Sequence, residues 1–140
     1  MARFKHQIKV TIRPAEVIRH NNIGDYYIDK EGARCFEIGD TSFDISNLLI
    51  LVHELVEYIL IDHAGIPISA VDKFDKESKD DEPGDNPLAP YHEQHKTAMD
   101  VEKMICEKIG LDWDEHEKRI STAWESVRNK RIKRHLKKGK

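Results

Sequence analysis

The stretch L-L-I-L-V-H-E-L-V-E-Y-I-L-I-D, residues 48–62, decides how the chain is read. Ile45, Leu48, Leu49, Val52, Leu55, Val56 and Ile59 recur at spacings of three and four, which predicts an amphipathic helix. Asp44 or Ser46 is placed to cap its start. Gly65 supplies a C-terminal stop, with Pro67 just beyond it. The helix is apolar nearly all round, so little of it is expected to face water. His53 and Glu57 nonetheless lie inside it, four residues apart and therefore on one face. Burying a carboxylate without a partner is costly. A metal ion would compensate both groups, and imidazole and carboxylate are ordinary zinc ligands. A buried His–Glu hydrogen bond without a metal fits the same pair.

Upstream, Ile8, Val10 and Ile12 alternate with polar residues up to Pro14, the pattern of a half-buried strand. Tyr26–Asp29 and Arg34–Ile38 flank a Lys30-Glu31-Gly32 turn and read as a hairpin, closed by Gly39-Asp40. A small N-terminal antiparallel sheet is therefore expected before the helix. Downstream, residues 72–90 hold three prolines, a glycine and dense charge, and read as a loop pinned by Phe74. A second helix is expected from about Tyr91 to Ile109, ended by Gly110. A third begins at Asp112-Trp113-Asp114-Glu115, a capping-box pattern, and buries Ile120, Trp124 and Val127. The fold class is α+β, a sheet followed by three helices.

The second helix completes the candidate site. His95, Met99, Glu102 and Cys106 share one face, flanked by Ala98, Val101, Ile105 and Ile109, so His95 and Glu102 point inward. A catalytic zinc site usually has three protein ligands and an open position. His95 is taken as the third ligand. Glu102 is assigned to the metal as well, as a fourth ligand or as an acceptor that orients a histidine; a Lys or Arg partner is its structural alternative. His92 lies toward the edge of the face. It or Tyr91 is a candidate for polarising a bound carbonyl or phosphoryl oxygen, and a solvated histidine at the helix start is the competing reading of His92.

In the helical motif H-E-x-x-H, two histidines bind zinc and the intervening glutamate activates water. Here the motif is H-E-L-V-E, with Glu57 at the second ligand position and Glu54 as the catalytic base. Residues 48–60 resemble the active-site helix of zincin metallopeptidases, and its place after a small sheet resembles their compact members. The resemblance implies a zincin-like hydrolase, peptidase-like, acting on a peptide or small molecule. Zn2+ is the expected ion, and the carboxylate at residue 57 brings in Mn2+, Fe2+ or Mg2+ as alternatives. H-E-L-V-E, H-A-G-I, P-G-D-N-P-L-A-P-Y-H-E-Q-H and L-D-W-D-E together, over roughly residues 48–118, are similar to a family of small phage and prophage proteins. That likeness implies a phage origin and no particular reaction.

Two other readings compete. A MazG-like nucleotide pyrophosphohydrolase would bind Mg2+ through Glu54, Glu57 and Glu102, and it implies an all-helical core. A non-enzymatic phage factor would keep a structural His–Glu cluster and bind a host protein or nucleic acid.

With 140 residues, 39% hydrophobic and 35% charged, the chain suits one compact domain with a charged surface. No apolar run reaches the roughly 18 residues needed to span a bilayer, so no membrane partner is expected. The N-terminus lacks an export signal, and Cys35 and Cys106 form no CxxC pair, so a cytoplasmic protein with reduced thiols is expected, in the host cell if phage-encoded. The net charge of −3 is divided unevenly. Residues 128–140 carry three Arg, five Lys and no acid. Residues 1–127 carry 15 basic and 26 acidic groups, net −11. The expected organisation is a domain over 1–127 with its metal-site helix at about 45–64, then a basic tail over 128–140. That tail suits phosphate contacts with nucleic acid but has no aromatic to stack on a base, so a solubilising role competes. The acidic residues 72–85 lack the spacing of an EF-hand calcium loop.

Overall fold

A computed structural model describes residues 7–138, with side chains up to residue 125 apart from Asn21. Within them the strands are β1 (Ile8–Arg13), β2 (Gly24–Ile28) and β3 (Arg34–Gly39). The helices are α1 (Asp44–Ala64), α2 (Ile68–Glu77), α3 (His92–Lys108) and α4 (Trp113–Lys138). The class is α+β, as expected. The side chains of the basic segment 128–140 lie outside the described residues.

The hairpin forms where the turn residues place it. Asp29 Oδ1 accepts hydrogen bonds from the Glu31 and Ala33 amides at 3.0 and 2.8 Å, and Gly32 takes a positive φ of 85° that a side chain would oppose. β2 pairs with β3 antiparallel, Tyr26 opposite Phe36. β1 pairs with the other edge of β3 in parallel, Val10 opposite Phe36, so the sheet is mixed rather than wholly antiparallel. Ile8, Val10 and Ile12 remain 67%, 48% and 51% exposed, contrary to the half-buried strand expected. Their strand is an edge that the helix over the sheet does not cover.

α1 lies on the face of the sheet that carries Tyr26 and Phe36. The Tyr58 ring meets both edge-on, at 5.6 and 5.7 Å between centroids. Ile61, Val71, Ala89 and Tyr91 complete this core. Neither Asp44 nor Ser46 caps α1. Phe43 occupies the cap position with no side-chain bond, and the approach to the helix is pinned by Asn47, whose Oδ1 accepts from the Thr41 amide and hydroxyl at 2.9 and 2.7 Å. Ser46 turns inward instead. Gly65 closes the helix in the left-handed region, φ 73°, and the Ile66 amide reaches back to the Ile61 carbonyl at 2.9 Å.

The apolar stripe of α1 is divided. Leu49, Ile50 and Ile61 are buried, whereas Leu48 and Ile59 are 55% and 59% exposed. The sheet and α3 cover the side of the helix that carries His53 and Glu57, so the polar pair takes core positions that two of the aliphatic residues do not.

Residues 72–77, expected as loop, are the second half of α2. All three prolines of that stretch follow Glu77, so nothing interrupts the helix before them. Val71 is buried and Phe74 meets Tyr91 edge-on at 6.4 Å, pinning the segment as expected. A short 3₁₀ turn, Pro83–Asp85, then leads toward α3. Asp112 caps α4, accepting the Glu115 amide at 3.1 Å.

In urea unfolding, Leu49→Ala is expected to lower stability by about 2–5 kcal/mol, the range for emptying a core site. Leu48→Ala, its exposed neighbour, is expected to change it by less than about 1 kcal/mol. Equal losses would mean that α1 is rotated from the orientation described.

Candidate metal centre

The helical repeat puts His53 and Glu57 one turn apart on the face of α1 turned toward α3. The same repeat puts His95 and Glu102 on the inward face of α3, and all four side chains are buried. Three donor atoms converge. Glu57 Oε2 is 3.3 Å from His53 Nε2 and 3.0 Å from His95 Nδ1, and the two ring nitrogens are 3.2 Å apart. An ion with tetrahedral bonds of about 2.0–2.1 Å separates its ligands by roughly 3.3 Å, so these side chains fit one zinc-sized ion with little movement. Two imidazoles and a carboxylate form a donor set for zinc, iron or manganese rather than for magnesium or calcium, which take oxygen ligands.

The outer nitrogen of each ring is held by a carboxylate. His53 Nδ1 donates to Glu102 Oε1 at 2.9 Å, and His116 Nε2 donates to Glu102 Oε2 at 2.6 Å. Behind them, Arg119 donates to Ser46 Oγ at 3.3 Å, and the Ser46 hydroxyl donates to His116 Nδ1 at 3.0 Å. This directed chain leaves the lone pair of a neutral His53 on Nε2, facing Glu57 and His95. His95 Nε2 donates to Asp85 Oδ1 at 3.0 Å, with Glu82 at 3.5 Å, which leaves Nδ1 facing the same point. Such outer carboxylates orient metal-binding histidines and raise their basicity. Glu57 Oε1, the oxygen turned away from the rings, accepts from the Tyr26 hydroxyl at 2.6 Å.

Electrostatics follow from this packing. Burial alone would push the Glu57 carboxyl up, but its bonds to His53 and His95 prevail and hold it down at about 2. Burial likewise opposes the charged form of His95, yet Glu57 and Glu82 raise it to about 10. His53 is held well above the ordinary imidazole value, Glu102 and Glu57 outweighing burial. Glu54 has no such partner. Burial, then the Glu57 charge, push its carboxyl well above the usual range. Among the described residues no hydrogen bond reaches it. It packs so closely on β2 that a Cβ at Gly24 would lie 2.6 Å from its Oε1.

His53, Glu54, Glu57, His95 and Glu102 all line one cavity of about 330 Å³. Glu102 stands behind His53 with both oxygens engaged, in the orienting position rather than that of a fourth ligand. His92 is not brought into the cavity. Its Nδ1 bonds the Gly84 carbonyl at 2.9 Å and so secures the Pro83–Asp85 turn. That turn lies against His95 so tightly that a Cβ at Gly84 would fall 2.5 Å from the ring. Tyr91 lines the cavity, its hydroxyl donating to Asp75.

Sequence reading missed His116, fully buried, and Asp85. The signal for His116 was present, since it lies one turn before Ile120 on the stripe that Ile120 and Trp124 define. Asp85 is far from α1 in sequence and meets His95 only through the turn. Comparison with protein-family models, curated proteins and solved structures finds no match to this chain.

Glu102→Gln, which cannot accept from both rings as the carboxylate does, is expected to weaken zinc binding about 10- to 100-fold in competition with a chelator, with helical content unchanged. Unchanged affinity would exclude the orienting role.

Metal binding must displace the protons that His53 and His95 hold in the metal-free protein. The His95 charge stabilises the metal-free fold fully below pH 6.5, and that contribution fades as pH rises through about 10. Zinc affinity is therefore expected to climb with pH over this window, by up to about 100-fold per unit where both protons are displaced. A flat profile from pH 6 to 8 would contradict the assignment of both rings.

Proposed function

We propose that this chain is a metal-dependent hydrolase of the peptidase type, with His53, Glu57 and His95 holding the ion and Glu54 as general base. One observation carries the reading. Donor atoms from the H-E-L-V-E helix and from α3 converge at 3.0–3.3 Å, each ring locked from behind by a carboxylate, beside a carboxylate that takes no hydrogen bond from the described residues. Zinc is the ion this set favours, with iron(II) and manganese sharing its ligands.

A bound ion supplies Lewis acidity, polarising a carbonyl and acidifying water. The side chains do the rest. Glu57, fixed by Tyr26, contributes the negative charge of the ligand set. Glu54, its basicity raised by burial, takes a proton from the attacking water and returns it to the leaving amine. Gly24 gives Glu54 the room to stand beside the ligands. The magnesium-dependent pyrophosphohydrolase reading is less well supported, because both oxygens of Glu102 are taken by His53 and His116 and the chain has a sheet. The phage or prophage origin suggested by residues 48–118 is part of the proposal and adds no reaction to it.

The test is a peptide-library digestion read by mass spectrometry. Glu54→Gln is expected to retain its metal and lose about 10²- to 10⁴-fold in rate, the usual worth of a general base. Gly24→Ala, which displaces Glu54 without touching a ligand, is expected to lower the rate with the metal retained. Full activity in Glu54→Gln would remove Glu54 from the mechanism.

A further inference from the structure

In the wall of the cavity around the three donor atoms, carboxyl groups well outnumber the cationic charge that His53, His95 or a bound divalent ion brings to it. Of its 26 described lining residues, ten are Asp or Glu and none is Lys or Arg, although residues 7–125, whose side chains are described, include 13 Lys and Arg. Composition does not explain that exclusion. Arg19 reaches only the edge of this field, pairing with Asp25 at 2.6 Å and Asp72 at 3.4 Å.

The acids adjoin the centre on two sides. Next to His95 lies the Pro83–Asp85 turn, with Glu82 and Asp85 at 41% and 65% side-chain exposure, open to a ligand as well as to the ring. On the side of Glu102, α4 contributes Trp113, Glu117 and Trp124 to the wall. Trp113 stands 5.5 Å from the His116 ring, so this aromatic and acidic part of the wall is held by the same chain that orients His53. Between the two sides, the Glu54 carboxylate takes no hydrogen bond from the described residues.

A low-dielectric cleft with an excess of one sign of charge concentrates the opposite sign. Lys103 Nζ stands over the Trp113 ring at 6.0 Å, so the attraction for a further cation comes from the carboxylates. The same wall repels phosphates and acidic peptides, so it discriminates by rejection as well as by attraction.

We propose that the cavity receives a cationic substrate, a peptide segment with Lys or Arg close to the bond to be cut. The inference rests on the hydrolase reading of the same site.

The chain's two tryptophans both line the cavity, so intrinsic fluorescence reports its occupancy without any turnover. The experiment titrates zinc-loaded, full-length Glu54→Gln with three capped pentapeptides, acetyl-Ala-Lys-Ala-Lys-Ala-amide and its Gln and Glu counterparts. Zinc content is measured on the same samples. The lysine peptide is expected to bind at least about tenfold more tightly than the glutamine peptide and to weaken several-fold as salt rises. The glutamate peptide is expected not to saturate the signal. Glu117→Gln is expected to weaken the lysine peptide several-fold with zinc content unchanged. Equal binding of the three, preference for the glutamate peptide, or no binding of the lysine peptide at millimolar concentration would overturn the inference. Loss of charge selectivity with zinc present overturns the substrate class alone, whereas failure of the wild type to take up zinc overturns the metal reading beneath it.

Discussion

The structure turns on the cost of placing the Glu57 carboxylate in an apolar interior. A buried carboxylate without compensation is unstable, and this one lies on a helix whose neighbours are mostly aliphatic. Compensation comes from two imidazoles and a tyrosine hydroxyl, and each recruits a different part of the fold. His53 comes from the same helix, His95 requires α3 alongside it, and Tyr26 requires the sheet beneath. The packing of α1 against both layers and the assembly of the polar cluster are thus one arrangement. The same convergence that satisfies Glu57 brings three donor atoms within ion-binding distance.

The order in the cluster extends outward. Glu102 collects two rings, and Ser46 and Arg119 set the direction of the hydrogen bonds behind His116. Ser46, an alternative to Asp44 for the helix cap, turns inward instead, where it orients the His116 ring and, through Glu102, that of His53. On the far side, the Pro83–Asp85 turn performs the equivalent service for His95, held in place by His92. A site built this way is organised before any ligand arrives, which is what metal affinity and catalytic geometry both require.

What was legible in the sequence follows the range of the interactions involved. The α1 and α3 faces, with His53, Glu57, His95 and Glu102 inward, could be read because helical spacing is a local property. The hairpin could be read because Asp29 and Gly32 encode its turn. The exposure of Ile8, Val10 and Ile12 could not, because alternation shows that a strand has an apolar face and not whether a layer covers it. The exposed Leu48 and Ile59 were misread for the same reason, since the stripe marks a helix and the neighbours decide which part is buried. The helix over 72–77 was obscured by prolines that lie beyond it. His92 and His95 are close in sequence, yet only contact with the turn separates the residue that secures the loop from the residue that joins the cluster. Asp85 enters through tertiary packing alone, whereas His116 lies on the helical stripe that Ile120 and Trp124 define and was open to the same local reading.

The central claim is that these residues bind a transition-metal ion, and elemental analysis of protein purified without a histidine tag tests it most directly. The expected result is about one zinc-class ion per chain in the wild type, absent from His53→Ala and His95→Ala variants that retain their helical content. A wild-type protein that takes up no transition metal, even after reconstitution, would contradict the claim and leave the cluster as a structural network of hydrogen bonds.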